Sequence, residues 1–274
     1  MNCAWEALLS VLPQWLRGQL SPYERTLLEL RLRRGCPPEL TCSDGKRLLH
    51  GELTADDLNF SLNTASRYSP WAAATVCQGF LTAPGGHRIG ICGEAVVKEG
   101  KLSGFRSVTS LCIRVARDFP GIARGITFAG QALLILGPPG WGKTTLLRDL
   151  ARRLSEREQV AVVDQRQELF PPGLTNGCRM DTLYGLTKQE GIETVLKTMG
   201  PECIVVDEIT SEADCRAIIQ ASNCGVRLAA TAHACGMEDY RRRCVYRPLL
   251  ENRIFDTFVI LHRDKSFHQE AIYP

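Results

Sequence analysis

A glycine-rich stretch with one lysine and two threonines has the spacing of a phosphate-binding loop. The pattern G-x-x-x-x-G-K-[ST] is matched by Gly137, Gly142, Lys143 and Thr144. Glycines at this spacing let successive backbone N–H groups close around phosphate oxygens, and a following helix adds the positive end of its dipole. The pattern predicts that Lys143 reaches the β- and γ-phosphates of a nucleotide and that the Thr144 hydroxyl ligates Mg²⁺.

The residues on either side of this phosphate loop (137–144) favour a nucleotide site over an accidental match. The bare pattern arises by chance in about one chain in a hundred of this length. Here an apolar run suited to a buried strand, 132–136, precedes the loop, and helical spacing begins at Thr144. We therefore expect ATP and Mg²⁺ to bind at the loop. The expected nucleotide-binding residues are Gly137, Pro138, Pro139, Gly140, Trp141, Gly142, Lys143, Thr144 and Thr145.

Two acids follow a second apolar run. Residues 204–206 are Ile-Val-Val, and Asp207 and Glu208 come directly after them. In such a pair the first carboxylate holds Mg²⁺ and its water shell, and the second polarises the attacking water. About 60 residues separate the pair from Lys143, so both can meet at the C-terminal edge of one parallel sheet. The alternative is that the two acids only cap the next helix.

Two further apolar runs end in residues that can take part in the same chemistry. The run 160–163 ends at Asp164, and Glu168 follows four residues later. We expect both acids beside the same sheet edge, and the alternative is ion pairing that only orders a turn. The run 228–232 ends at His233, which in this position can contact the γ-phosphate or its water. The alternative there is a purely structural histidine.

The elements that position these residues alternate between apolar strands and helices from residue 131 onward. This alternation predicts an α/β domain over 131–274, with a mainly parallel sheet covered by helices on both faces. The predicted strands are 132–136, 160–164, 203–207, 226–231 and 257–262. The predicted helices lie near 144–155, 187–199 and 211–223, with shorter ones between 236 and 252.

The preceding residues predict a smaller α+β N-terminal domain, 1–118, and a glycine-containing linker, 119–130. Capping and stop signals at Ser21 and Gly35 predict a helix over 23–34. A strand is predicted near 39–42, and a second helix is predicted to begin at Thr54. Alternating residues and glycines predict twisted strands over 79–97, a turn at 99–101, and strands at 102–107 and 111–115.

The composition is that of a globular protein with room for two cores. The chain has 274 residues, 44% of them hydrophobic, and its 33 basic and 30 acidic residues leave a net charge of +3. Such a balanced charge gives no general signal for nucleic acid or for an acidic membrane. The first 20 residues fit neither a secretory signal nor a membrane span. We expect a soluble cytoplasmic protein with no transmembrane segment of its own.

The cysteines favour a reducing compartment. Twelve cysteines occur singly, without a C-x-x-C pair, which argues against a zinc site built from such pairs. Cys92 and Cys203 lie within apolar runs. We therefore expect most of the cysteines to be small buried hydrophobic residues.

Five motifs together resemble a known protein family. They are 84–94 (PGGHRIGICGE), 110–117 (SLCIRVAR), 137–149 (GPPGWGKTTLLRD), 163–166 (VDQR) and 204–209 (IVVDEI). The strand-end acids and histidine resemble those of the RecA-like secretion, or traffic, ATPases that energise type II and type IV machineries. Within that group the motifs resemble the stage III sporulation AA proteins. The resemblance covers roughly residues 20–262 and includes both predicted domains.

This resemblance implies a motor ATPase that works in sporulation. The implied fold is a RecA-like P-loop domain over 131–274 behind the smaller N-terminal domain. The implied assembly is a homo-oligomeric ring, taken to be a hexamer. It implies a place in the mother-cell cytoplasm, where membrane proteins of a channel to the forespore hold the ring at the membrane.

The resemblance also implies roles for individual residues. The Walker A loop is Gly137–Thr144, the Walker B strand ends at Asp207 and Glu208, the acidic box holds Asp164 and Glu168, and the histidine box holds His233. One position departs from the family pattern. Gln165 stands where the pattern has glutamate, so a charge at this position is absent here.

Arginines can act between subunits of a ring, because a guanidinium group neutralises charge that develops on the transferred phosphoryl group. In secretion ATPases this role falls to arginines of the N-terminal region. The resemblance therefore implies Arg106 and Arg114 as candidates. The alternative is that both only form ion pairs on the face of a strand.

Two other functions remain open from the sequence. One is a P-loop ATPase that binds single-stranded nucleic acid, and the other is a nucleotide-dependent scaffold with little turnover, which Gln165 leaves possible. The basic clusters are residues 31–34 and 241–243. Neither is interleaved with aromatic residues as a base-stacking surface would be, so we expect no strong nucleic-acid binding.

Overall fold

The computed structural model of the chain describes residues 4–66, 76–77, 79–171 and 174–271. Two compact units divide the chain. The first is Met1–Asp118 with Pro171–Leu174, and the second is Phe119–Phe170 with Thr175–Pro274. Residues 119–130, predicted to be a linker, belong to the second unit.

The first unit combines an antiparallel sheet with helices. Its described helices are α1 (Trp5–Ser10), α2 (Gln14–Leu20) and α3 (Ala55–Ser66), with 3₁₀ turns at Ser21–Tyr23 and Pro84–Gly86. Its strands are β1 (Leu27–Arg33), β2 (Glu39–Cys42), β3 (Gly45–Leu48), β4 (Phe80–Thr82), β5 (Arg88–Lys98) and β6 (Lys101–Arg114). The strands pair antiparallel in the order β3-β2-β1-β6-β5-β4. Leucines of all three helices and one face of the sheet share an apolar core.

The helix predicted over 23–34 is wrong, because strand β1 occupies most of this segment. Leu30 and Leu32 are buried while Arg31 between them is exposed, which is the period-two burial of a strand. Strands β2 and β6 pair with β1 on its two sides. This pairing places the leucines in the core and overrides the helix preference of leucine and arginine.

The strand predicted near 39–42 and the helix predicted from Thr54 are confirmed. Thr54 and Asp57 cap α3 reciprocally. The Asp57 N–H donates to Thr54 Oγ1 at 3.1 Å, and the Thr54 N–H donates to the Asp57 carboxylate at 2.9 Å. This capping box satisfies two N–H groups that the first turn of a helix would leave unpaired.

Strands β5 and β6 form a long hairpin. The segments 102–107 and 111–115, predicted as separate strands, are one continuous strand, β6. The β5–β6 ladder changes register at three places, one of them beside Gly93. A Cβ atom on Gly93 would lie 2.0 Å from the carbonyl oxygen of Ser107. The bulge therefore requires glycine at this position.

The cysteines are less buried than predicted. Cys42, Cys203 and Cys215 are buried, whereas Cys36, Cys92, Cys178, Cys224, Cys235 and Cys244 are exposed, and Cys3 lies outside the described residues. On β5, Ile89 and Ile91 face the core. The two-residue period of the strand consequently turns Cys92 outward. An apolar neighbourhood in sequence does not bury a residue on the opposite face.

The second unit contains a mainly parallel sheet with helices between its strands. The strands are β7 (Ala132–Leu136), β8 (Val160–Asp164), β9 (Met180–Tyr184), β10 (Cys203–Ile209), β11 (Arg227–Ala232), β12 (Thr257–Leu261) and β13 (Phe267–Ala271). The helices are α4 (Lys143–Leu154), α5 (Lys188–Thr198), α6 (Glu212–Asn223), α7 (Met237–Arg242) and α8 (Arg247–Glu251), with 3₁₀ turns at Ile122–Gly125 and Cys244–Tyr246.

The sheet of the second unit has the order β13-β12-β7-β11-β10-β8-β9. Within the described ranges every pairing is parallel except that of β12 with β13. Strands β7, β8 and β12 are buried along their whole length, as parallel strands covered on both faces must be. One apolar cluster joins the sheet to α5 and α6, and another joins it to α4. The predicted α/β architecture is confirmed.

Strands β9 and β13 are absent from the sequence prediction. Both lie at an edge of the sheet and are half-exposed or exposed. Their polar composition gives no apolar run of the kind that marks a buried strand. None of the described helices has the combination of length and apolar character needed to cross a lipid bilayer.

Residues 121–126 are bonded to helix α4. The Asp149 carboxylate accepts the N–H groups of Gly121 and Ala123, each at 2.8 Å. One turn later, the Arg153 guanidinium donates to the carbonyl oxygens of Ala123 and Ile126, the latter at 3.0 Å. This segment is therefore attached to the helix that follows the phosphate loop.

We expect Gly93→Ala to destabilise the protein by about 1–3 kcal/mol, because the new Cβ would overlap the backbone of β6. Urea unfolding measures this effect. Gly90→Ala on the same strand is the matched control, since its Cβ would meet Cys112 at an ordinary 3.8 Å. Equal stability of the two variants would contradict the assignment of the bulge.

Candidate functional site

The phosphate loop joins strand β7 to helix α4. Gly140 and Gly142 have φ angles of 75° and 102°, a conformation that side-chain-bearing residues rarely adopt. Gly137 is buried, and a Cβ there would lie 3.2 Å from Leu261. The loop therefore has the glycine-dependent backbone that a phosphate cradle needs.

Lys143 begins helix α4 and is only 6% exposed. Its ammonium group donates to the Pro138 carbonyl oxygen at 3.2 Å and to His233 Nδ1 at 2.8 Å. Among the residues that the structure describes, it forms no ion pair. Burial lowers the pKa of Lys143, and the carboxylates of Glu208 and Asp207 oppose this shift. A buried ammonium group with only neutral partners is suited to bind an anion.

His233 connects Lys143 to Glu208. The ring Nε2 of His233 lies 2.6 Å from Glu208 Oε1. Because the Lys143 ammonium can only donate, Nδ1 is the acceptor, and we assign the ring proton to Nε2, which donates to the Glu208 carboxylate. The structure thus brings together three residues that the sequence predicts for the site, and it holds the Glu208 carboxylate in one orientation.

Tyr246, which no sequence pattern predicts as a site residue, forms hydrogen bonds with the ends of β10 and β11. Its buried hydroxyl accepts the His233 N–H at 3.2 Å and donates to the Ile209 carbonyl oxygen at 3.3 Å. Its ring stacks on Tyr240 with 5.0 Å between the centroids. The hydroxyl therefore links the strand that carries Glu208 to the strand that leads into His233.

Asp207, also on β10, lies beside two threonine hydroxyl groups. Its Oδ1 lies 3.5 Å from Thr144 Oγ1 and 3.2 Å from Thr231 Oγ1. Carboxylate and hydroxyl oxygens suit Mg²⁺, which takes its other ligands from water and substrate phosphates. The described residues contain no group of three or more His, Cys, Asp or Glu that could hold a metal. The oxygens of Thr144 and Asp207 suit an ion that takes its other ligands from water and a phosphate group.

Asp164 is 1% exposed at the end of β8. Its carboxylate accepts the backbone N–H groups of Glu168, Leu169 and Phe170, each at 2.9 Å. Burial raises the pKa of Asp164, while these donors oppose the rise. These are backbone hydrogen bonds and not the ion pairing considered from the sequence, and they engage the Asp164 oxygens in ordering the turn after the strand; a catalytic role for Asp164 stays a prediction.

A cavity of about 350 Å³ lies beside the two acids of β10. Its lining includes Asp207 and Glu208 together with Asp164 and Glu168. Glu168 is half-buried, and its carbonyl oxygen accepts a hydrogen bond from Arg148 Nη2 at 2.9 Å. Four predicted acidic site residues therefore surround one cavity.

Two further charged residues that line this cavity were not predicted from the sequence. Lys188 Nζ, at the start of α5, lies 3.6 Å from Asp214 Oδ2, in the first turn of α6, and both side chains are nearly buried. The Asp214 carboxylate also accepts the N–H groups of Thr210 and Ser211, at 2.8 and 3.1 Å. The pair thus supports the turn that follows β10. In the local sequence, the feature that marks this pair is the helix N-cap formed by Ser211.

Arg106 and Arg114 belong to the first unit and lie on β6. Arg106 Nη1 is 2.8 Å from Glu94 Oε1, and Arg114 Nε is 3.7 Å from Glu29 Oε2. The arginine side chains are 74% and 70% exposed, so these ion pairs contribute little to stability. A role for either arginine between subunits stays a prediction.

Both basic clusters are partly neutralised by neighbouring acids. The ion pairs are Arg31–Glu29, Arg33–Glu39, Arg242–Glu238 and Arg243–Asp239. A nucleic-acid surface needs an uninterrupted cationic groove with stacking aromatic residues. These contacts do not favour such a surface on either cluster.

Comparison with known sequences identifies related proteins. The chain matches the family described as "Sporulation stage III, protein AA" over residues 6–273. The stage III sporulation protein AA of Bacillus subtilis (strain 168) is 34% identical over 280 aligned residues, which cover 94% of this chain and 91% of that protein. The protein SEEDLING PLASTID DEVELOPMENT 1 of Arabidopsis thaliana is 29% identical over 243 residues, covering 83% of this chain and 33% of the plant protein.

Two solved structures have a similar fold. The ATPase DotB of Legionella pneumophila superimposes with a TM-score of 0.62 at 16% identity, covering 94% of this chain and 79% of DotB. The pilus retraction motor PilT, solved with bound ADP, gives a TM-score of 0.64 at 11% identity, covering 96% of this chain and 78% of PilT. These likenesses confirm the predicted RecA-like fold with its preceding α+β domain.

We expect Asp164→Asn to lower the free energy of unfolding by about 1–3 kcal/mol, because an amide oxygen cannot replace both carboxylate oxygens as acceptors of three N–H groups. Chemical denaturation measures the loss. Gln165→Ala, at an exposed position of the same turn, is the control and should change stability by less than about 0.5 kcal/mol. Unchanged stability of Asp164→Asn with reduced nucleotide hydrolysis would instead favour a catalytic role.

Proposed function

The chain belongs to the Sporulation stage III, protein AA family, and from this premise we propose that it hydrolyses ATP as a motor subunit of a secretion-like complex needed for sporulation. The proposed complex forms a channel from the mother cell to the forespore. The reaction is ATP plus water to ADP plus phosphate, at the phosphate loop of the second unit.

The observation that carries this proposal is the buried ammonium group of Lys143, whose hydrogen-bond partners among the described residues, the Pro138 carbonyl and the His233 ring, carry no negative charge. It lies at the end of a loop whose left-handed glycines, Gly140 and Gly142, give the backbone the curvature of a phosphate cradle. A phosphate group would place a negative charge in direct contact with the Lys143 ammonium. The acids Asp207 and Glu208 on the adjacent strand extend the site from phosphate binding to hydrolysis.

Each residue of the site has a proposed task. Lys143 binds the β- and γ-phosphates, and Thr144 and Asp207 hold Mg²⁺, which when bound neutralises charge on the phosphate oxygens. Glu208 accepts a proton from the attacking water. His233 orients Glu208, because its Nε2–H donates to the Glu208 carboxylate at 2.6 Å.

We further propose that the active form is a ring, with a hexamer as the expected stoichiometry. Arg106 or Arg114 of one subunit would then complete the site of its neighbour, where a guanidinium group stabilises the charge that develops on the γ-phosphate. The ring would work in the mother-cell cytoplasm and reach the membrane through membrane-protein partners of the channel.

We expect Lys143→Ala to abolish nucleotide binding and Glu208→Gln to preserve binding while slowing hydrolysis by about 10²- to 10⁴-fold, because only the second change spares the phosphate contacts. Binding of a fluorescent ATP analogue and release of phosphate measure the two effects. Hydrolysis by Glu208→Gln at the wild-type rate would move the search for the base to Asp164 and Glu168. Binding without turnover by the wild type would favour a nucleotide-dependent scaffold.

Mixing experiments test the intersubunit arginines. An inactive Arg106→Ala or Arg114→Ala protein should regain activity when mixed with Lys143→Ala, because intact loops and intact arginines then meet at some interfaces. Phosphate release from the mixture and light scattering of the assembled rings are the measurements. Rings that form without regaining activity would assign these arginines a structural role.

A further inference from the structure

The turn between β12 and β13 has a defined geometry. The His262 N–H donates to the Ser266 carbonyl oxygen at 2.9 Å, and the Lys265 N–H donates to the His262 carbonyl oxygen at 3.1 Å. The Asp264 carboxylate accepts hydrogen bonds from the N–H and the hydroxyl of Ser266, at 3.0 and 2.6 Å. This is a three-residue hairpin loop, Arg263–Lys265, whose third position is left-handed.

Lys265 occupies the left-handed position, with a φ of 73°. Glycine adopts this conformation at the lowest cost, and a lysine here carries backbone strain. The Lys265 ammonium donates to the carbonyl oxygen of Gly140 at 2.6 Å. Gly140 lies in the phosphate loop, so a strained residue of the hairpin reaches the proposed nucleotide site.

The contact fixes the orientation of one peptide group in the loop. In a trans peptide the carbonyl and the following N–H point in opposite directions. Because Lys265 holds the Gly140 carbonyl, the Trp141 N–H points the other way and donates to the Pro138 carbonyl oxygen at 3.4 Å. That same oxygen accepts a hydrogen bond from Lys143 at 3.2 Å. Lys265 therefore holds the Trp141 N–H on the side of the loop where Lys143 lies.

The hairpin has an anchor that does not depend on Lys265. The Gln269 side chain, on β13, accepts the Thr127 N–H at 3.0 Å and donates to the Thr127 carbonyl oxygen. Phe267 packs into the apolar cluster around α4. Removing the Lys265 ammonium should consequently leave the hairpin in place and free only the loop peptide.

We propose that Lys265 is a positioning residue of the nucleotide site, which orients the Gly140–Trp141 peptide so that its N–H lies beside Lys143, where a bound phosphate can replace the Pro138 carbonyl oxygen as its acceptor. This inference rests on the proposed function, since it assigns the loop a phosphate ligand. It extends the site to the turn of the β12–β13 hairpin.

The substitution Lys265→Gly separates positioning from structural support. Glycine relieves the strain at this φ, so the melting temperature should stay the same or rise, whereas nucleotide affinity should fall by about three- to tenfold through loss of the hydrogen bond. Lys265→Arg keeps a cationic donor and should retain most of the affinity. Glu99→Gly is the matched control, because Glu99 has a φ of 50° in the β5–β6 hairpin of the first unit.

The measurements are the dissociation constant of a fluorescent ADP analogue, the melting temperature, and hydrogen–deuterium exchange of the loop amides without nucleotide. We expect Lys265→Gly to weaken binding and to speed exchange at residues 140–142, and Glu99→Gly to change neither. Wild-type affinity and wild-type loop exchange in Lys265→Gly would overturn the inference alone. Failure of the wild-type protein to bind the analogue would overturn the proposed function, and the inference with it.

Discussion

One buried ammonium group sets the requirements for the whole candidate site. Lys143 is removed from water, so its charge needs acceptors close by, and the Pro138 carbonyl and the His233 ring supply them. Because the ammonium group needs an acceptor, Nδ1 of His233 carries no proton. The ring proton lies on Nε2, which faces the Glu208 carboxylate. The charge of one side chain thus selects the tautomer of a second and the orientation of a third.

Further hydrogen bonds connect the strands and the helix that carry these side chains. The Tyr246 hydroxyl joins the backbone after β11 to the end of β10. Asp207 contacts hydroxyl groups of Thr144 and Thr231, which lie at the start of α4 and on β11. The loop, both strands and the helix therefore form one hydrogen-bonded unit, within which a shift of any member changes the distances of the others.

The features that could be predicted from the sequence are those whose signal lies within a few consecutive residues. The phosphate loop follows from its glycines and lysine, and the buried strands follow from apolar runs, because each signal is complete within a few residues. Pairings between distant elements leave no such signal, which is why Tyr246 and Lys188 could not be found. Capping signals wrongly predicted a helix over 23–34. The segment is a strand because it pairs with two strands that are distant or separate in the sequence. Asp164 was located, but its three backbone donors depend on the conformation of the following turn.

Helix α4 is held at two points along its length. Asp149 and Arg153, one turn apart, bind N–H and carbonyl groups of residues 121–126, near the point where the chain enters the second unit. The phosphate loop forms the other end of the helix. A helix is stiff along its axis because its hydrogen bonds run parallel to that axis. A displacement of residues 121–126 would thus reach the phosphate loop through a rigid rod.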